Sequence, residues 1–136
     1  MKVDVVRISW QEALPIRHQV LWPTKPESFC RIEGDEAAWH FGAFVDGELV
    51  CCASVFVSGQ DARLRKFATL TSFQGKGIGS KVIETVFSEL KRQHCRYFWC
   101  DARESALSFY RRLGMTETGE RFYKSKEPYF KMSIEF

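Results

Sequence analysis

No stretch of the sequence is apolar for the roughly 20 residues needed to cross a bilayer, so no membrane partner is expected. Met1-Lys2-Val3-Asp4 opens no apolar signal core, which points to a cytoplasmic chain. Charge of one sign is scarce too. Twenty basic residues against 17 acidic ones leave a net +3, too mild a balance to argue for nucleic acid. The basic residues at Arg63, Arg65 and Lys66 alternate with apolar ones, as on a solvated strand face. Disulfide and zinc frameworks are also missing. The five cysteines are odd in number, Cys51 and Cys52 are neighbours in an apolar run, and no C-x-x-C clip occurs. Buried, reduced thiols and no metal are the reading. Repeats, low-complexity tracts and linkers are absent, so residues 1–136 are expected to form one domain.

What is present suits a packed globular core. The chain is 45% hydrophobic and 27% charged, with 12 Phe, 4 Trp and 4 Tyr. Val3 to Ile8 alternates as a strand does, and Ser9-x-x-Glu12 is a capping box for a helix reaching about Trp22, where Pro23 and Pro26 stop it. Strands follow over residues 38–45 and 48–58, joined by the hairpin signal Asp46-Gly47, and over residues 62–70. Ile78, Val82, Ile83, Val86, Phe87 and Leu90 form one helical stripe. Residues 96–102 make a strongly apolar strand. A shorter helix starts near Ser105 and ends at Gly114, and strands near 116–122 and 129–134 close the chain. The order β-α-β-β-β-α-β-α-β-β predicts an α/β (α+β) fold. Its central sheet is mixed and mostly antiparallel, has helices on both faces, and contains one parallel pair across the crossover helix.

The most informative stretch is Gln74-Gly75-Lys76-Gly77-Ile78-Gly79-Ser80, between a strand and the periodic helix. Alternating glycines remove the side chains that would hold a ligand off the backbone, and each would cost roughly 1 kcal/mol inside a helix. Free amides and the dipole at a helix start attract anions, and Lys76 and Lys81 add positive charge. Together these describe a phosphate or diphosphate cradle. The spacing is not that of a nucleotide P-loop. It departs from the dinucleotide fingerprint as well, because Ser80 stands where the third Gly belongs.

The pattern Gln-x-x-Gly-x-Gly on Gln74, Gly77 and Gly79 resembles the CoA-binding signature of the GNAT superfamily of N-acetyltransferases. Ala106, Phe109, Tyr110, Gly114 and Met115 resemble the family's second motif, Ala-x-x-Phe-Tyr-x-x-x-Gly-Phe. The resemblance implies acetyl-CoA as acyl donor and an amine acceptor, of a small molecule or a protein. It implies that Phe67, Ala68 and Thr69 pair with the pantetheine arm beside a strand bulge, and that Gln74, Gly75, Lys76, Gly77, Ile78, Gly79 and Ser80 hold the diphosphate. It places Ser105 and Phe109 at the cofactor and makes Tyr110 the proton donor to the departing thiolate. Ser105 departs from the family's usual Asn, and Thr71 from its usual Pro.

No Asp or Glu lies between Ala62 and Ile83, so the general base is unassigned. Glu33, Asp35 and His40 are nearby candidates with structural roles as the alternative, and Tyr129 and Phe130 are candidates for either the acceptor pocket or the core. Two other readings stay open: a CoA-binding module without transfer activity, and a nucleotide-binding protein. The aromatic C-terminal edge is compatible with a homodimer.

Overall fold

The computed structural model describes residues 1–136. In chain order it contains β1 (Val3–Ile8), α1 (Trp10–Ile16), β2 (Trp39–Val45), β3 (Glu48–Ser58), β4 (Asp61–Thr69), α2 (Ile78–Arg92), β5 (Tyr97–Arg103), α3 (Leu107–Arg112), β6 (Thr116–Lys124) and β7 (Glu127–Glu135). This is the predicted order. The seven strands form one sheet in the order β1-β2-β3-β4-β5-β7-β6. Only β4 and β5 run parallel, as expected across a crossover helix.

Each element has a local cause. At Ser9 the capping box closes: the Ser9 amide donates to Glu12 Oε1 at 2.9 Å and the Glu12 amide to Ser9 Oγ at 3.1 Å. Pro15, which lacks an N–H, lies inside α1. Beyond it the helix continues as a π-helical turn over Arg17–Leu21, where the Trp22 amide donates to the Arg17 carbonyl at 3.2 Å. The predicted helix therefore has the right length but changes pitch. Asp46 and Gly47 both take positive φ in the β2–β3 turn, at 50° and 88°. The apolar stripe of α2 is buried as its period requires, and Phe87 meets Phe98 and Phe136 edge-on at 5.2 and 5.4 Å. All five cysteines are buried and free.

A buried polar cluster ties α1 and the segment after it to the sheet. Arg17 and Asp35, both fully buried, make a two-pronged ion pair at 2.8 and 2.9 Å. Arg17 also donates to the Cys30 carbonyl at 3.0 Å and to Ser54 Oγ at 2.8 Å. The Ile32 amide donates to Asp35 at 2.8 Å. Neutral His40 completes the set: Nε2–H donates to the Asp35 carbonyl at 2.8 Å, and Nδ1 accepts from the Ser54 hydroxyl at 2.7 Å. Asp35 and His40 are thus structural.

The cluster makes the fold acid-sensitive. Burial holds His40 below its ordinary value, with Arg17 and Arg7 adding to the shift and Asp35 opposing it. Burial alone would raise Asp35, but its hydrogen bonds to Arg17 and Ile32 and the Arg17 charge bring it below the ordinary carboxylate value. Both groups bind protons more readily in the unfolded chain. The His40 contribution is therefore present above about pH 6.5 and lost as pH falls through the folded value, and that of Asp35 is lost at lower pH, below about 3.9. The melting temperature is expected to drop between pH 7.5 and 5.5, and a His40→Gln variant to show a flatter dependence over that range. An equal slope in both proteins would remove His40 from the account.

Candidate active-site cleft

The cleft begins where the parallel pair comes apart. β4 and β5 pair only at Asp61–Tyr97, Ala62–Phe98 and Arg63–Trp99, then diverge. On its other side β4 stays joined to β3 up to Cys51–Thr69, but the register slips between Cys52–Ala68 and Ser54–Arg65. The extra residue is a bulge around Lys66, which sits at φ 53° without being glycine. From Leu64 to Thr69 the β5-facing edge of β4 has no strand partner. The opening is a cavity of about 940 Å³. Phe67, Ala68 and Thr69 line it.

The glycine loop forms one end. Gly75 and Gly77 take φ of 74° and 80°, and a Cβ at either would stand in open space. Gly77 is the residue before the first turn of α2, with no side-chain cap. The first amide to bond back is that of Lys81, to the Gly77 carbonyl at 3.2 Å, so the amides of Ile78, Gly79 and Ser80 lack intrahelical partners. Gly79 differs from its neighbours. A Cβ there would come within 3.1 Å of the Phe67 ring and 3.6 Å of Phe109, so its smallness lets the helix start press onto β4 and α3. Phe67 and Phe109 lie 5.8 Å apart in turn. Gln74 reaches back, its Nε2 donating to the Thr69 carbonyl at 3.0 Å, and fixes the loop on the strand end.

Two predicted residues fall elsewhere. Lys76 is exposed, with its ammonium 5.6 Å from the Phe73 ring, and is off the cleft wall. Ser105 lies in a short 3-10 turn, Glu104–Ala106, that precedes α3; it is exposed, caps no helix and is off the wall as well. Ile78 is 2% exposed and turns its side chain into the core, which leaves only its backbone for the cleft. Gln74, Gly75, Gly77, Gly79, Ser80 and Phe109 do line it.

Tyr110 stands on the wall beneath the loop, 7% exposed and packed edge-on to Phe109 at 5.0 Å. Burial pushes its phenol well above the ordinary value, and the neighbouring Cys100 thiol adds to the shift. The group is therefore a protonated hydrogen-bond donor at neutral pH. Cys100 is itself pushed up to about 12, chiefly by burial, and is an uncharged thiol.

The cleft wall is also basic: Arg63, Arg65, Lys66, Arg103, Arg112 and Lys124 line it. Of these, Arg63, Arg65 and Lys66 were expected on a solvated strand face. Asp101 is the one carboxylate on the wall, and it accepts from Arg63 at 3.1 Å and Lys124 at 3.0 Å. Glu33, Asp35 and His40 do not line the cleft. Tyr129 does, whereas Phe130 packs against the core. Arg63 and Arg65 precede the bulge and Lys66 stands in it, while Arg103 and Lys124 come from other strands.

A family model described as acetyltransferase (GNAT) family matches residues 4–115. An uncharacterized N-acetyltransferase, YitI of Bacillus subtilis, is 32% identical across 88% of this chain and 87% of that one. The ribosomal-protein-S18-alanine N-acetyltransferase of Escherichia coli superposes with a TM-score of 0.84 at 18% identity, covering 98% of this chain and 94% of that one. The PaiA N-acetyltransferase of Thermoplasma acidophilum, solved in complex with coenzyme A, does so with a TM-score of 0.76 at 14% identity over 100% of both chains.

Proposed function

The chain belongs to the acetyltransferase (GNAT) family, an acyltransferase enzyme on that ground, and from that premise we propose that it moves an acetyl group from acetyl-CoA to a primary amine, with residues 1–136 acting as one domain. The observation that carries the reading is the continuity of one cleft: free amides at the start of α2, the unpartnered edge of β4, and the buried phenol of Tyr110 between them.

The residues fit the donor. The amides of Gly75 to Ser80 offer hydrogen bonds and the positive end of a helix dipole to a diphosphate, and the open space at Gly75 and Gly77 lets it approach. The free edge of β4 at Phe67, Ala68 and Thr69 accepts an extended, amide-bearing arm as a further strand would. The bound donor supplies an activated acyl thioester at the far end of that arm. There the acceptor nitrogen bonds to the acyl carbon, the carbon–sulfur bond breaks, and a proton from nitrogen ends on sulfur. Tyr110 donates a hydrogen bond to the departing sulfur and stabilises the charge that gathers on it. The phenol, kept protonated by burial, passes its proton to the sulfur and regains one that the acceptor nitrogen gives up through water, which closes the proton balance.

Thioester cleavage driven by amines tests the reading, together with a thermal shift for CoA against ATP and NAD. Stabilisation by ATP or NAD alone would overturn it. Tyr110→Phe is expected to lower kcat by about tenfold to a hundredfold, the scale of one lost transition-state donor, with CoA affinity nearly intact. Unchanged kcat would remove that role. A second reading, a CoA-binding module without transfer, draws on the wall's single carboxylate being engaged by two cations; CoA binding with no amine-driven cleavage would select it.

A further inference from the structure

The acceptor end of the cleft is more specific than an amine site requires. Arg65, Lys66 and Arg103 line it and form no ion pair with the protein, every carboxylate lying beyond 4.0 Å of them. Arg63 pairs with Asp101 through one amine nitrogen, but its buried Nε–H has no partner. The cations rest on aromatic faces rather than on carboxylates: Arg63 is 4.5 Å from the Trp99 ring, Arg65 5.5 Å from Phe56 and Lys66 4.5 Å from Trp22. They also crowd one another. Burial first, and then Arg65, Arg17, Lys124 and Arg63, bring the Lys66 ammonium down to about 8.

The cluster is set back from the diphosphate cradle. Thr69 ends β4 and the glycine loop follows it, so Lys66 and Arg63 lie three and six residues before the strand end, roughly 10 and 20 Å at about 3.3 Å per residue. The cluster does not suit a cationic acceptor, because like charges in a partly desolvated cleft repel.

We infer that the acceptor is a small primary amine that carries an anionic group, a carboxylate or a phosphate, bound among Arg63, Arg65 and Lys66 while its nitrogen faces the thioester. The inference rests on the transfer reading above. The anion completes the hydrogen bonding of Arg63 and relieves the repulsion between its neighbours. The same positive field disfavours a protonated nitrogen nearby, which is the direction that attack by a neutral amine needs on a wall without a free carboxylate.

The test uses the full chain with acetyl-CoA and pairs of amines that differ in one group: an amino acid against its amide, and an aminoalkyl phosphate against the aminoalcohol. The anionic member is expected to have at least a tenfold higher kcat/KM. Arg65→Gln and Lys66→Gln are expected to narrow that ratio at least fivefold by raising the acceptor KM, with the KM for acetyl-CoA little changed. Preference within the carboxylate pair or within the phosphate pair supports the inference and identifies the anion. Preference for the neutral member, or for polyamines or peptide N-termini, overturns it and leaves acetyl transfer standing. If no amine turns over, melting of the CoA-loaded protein decides: a larger shift with the anionic member supports the inference, and equal shifts overturn it. A protein that CoA does not stabilise fails at the earlier step, the transfer reading itself.

Discussion

An Arg17→Met protein is expected to lose about 3–5 kcal/mol of stability, because the change strands the Asp35 carboxylate in a dry interior. Arg17 and Asp35 are both fully buried, and the guanidinium holds Asp35, the Cys30 carbonyl and Ser54 together. A domain of this size has roughly 5–15 kcal/mol in hand. The loss should lower the melting temperature by on the order of 10 °C. The Arg17 Nε–H, buried with no acceptor, shows that the cluster is imperfect even when intact. Replacing both charges, Arg17→Met with Asp35→Leu, should recover a good part of the loss, since no buried charge is then left alone. Thermal melts followed by circular dichroism measure all three proteins. A single variant melting within about 2 °C of the parent would mean that the pair only breaks even with an apolar contact.

The second large effect concerns binding. Gly77→Glu is expected to weaken CoA affinity at least a hundredfold while the protein stays folded. Gly77 has φ 80°, so any side chain costs on the order of 1–3 kcal/mol of backbone strain. A Cβ there has no protein atom within 4 Å, so a longer side chain has room to start and can carry its carboxylate toward the cradle. Two unit charges about 4 Å apart near a protein surface repel by about 4 kcal/mol, and every 1.4 kcal/mol is tenfold in affinity. Gly77→Ala separates the causes, for it carries the strain without the charge. Calorimetric titration with CoA gives both affinities. If Glu and Ala bind alike, strain at the helix start explains the loss and charge does not. If Glu binds like the parent, the amides of this loop do not hold the diphosphate.

Local chemistry made much of this legible in the sequence. Asp46-Gly47 announced a turn that needs two positive φ values, and a 3.6-residue stripe announced α2. The glycine pattern at residues 74–80 announced a helix start with free amides. Long-range facts were harder. Nothing in the run Arg63-Leu64-Arg65-Lys66-Phe67 marks a bulge, because no glycine signals the positive φ at Lys66. Alternation sent the cations to solvent; the parting of β5 from β4 after Arg63 makes the face they occupy a cleft wall instead. Arg17 and Asp35 are 18 residues apart and pair only through the tertiary path of the segment between them. The last hairpin was expected to be shorter. Its turn, Ser125-Lys126, holds two non-glycine residues at φ 48° and 69°, a choice that turn statistics do not favour. That β7 lies between β5 and β6 follows from sheet assembly and has no local signature.

The parting of β4 from β5 has one more consequence. A row of unmet backbone groups normally sits on the outer rim of a sheet, where any passing strand can zip onto it and start aggregation. Here the row lies inside the sheet, in a wedge whose closed tip is the Arg63–Trp99 pairing. The edge is flanked by β5 and closed at that tip, so a neighbouring protein's strand finds no open rim there to extend. The fold thereby keeps an adhesive surface permanently ready and shields it from its own kind.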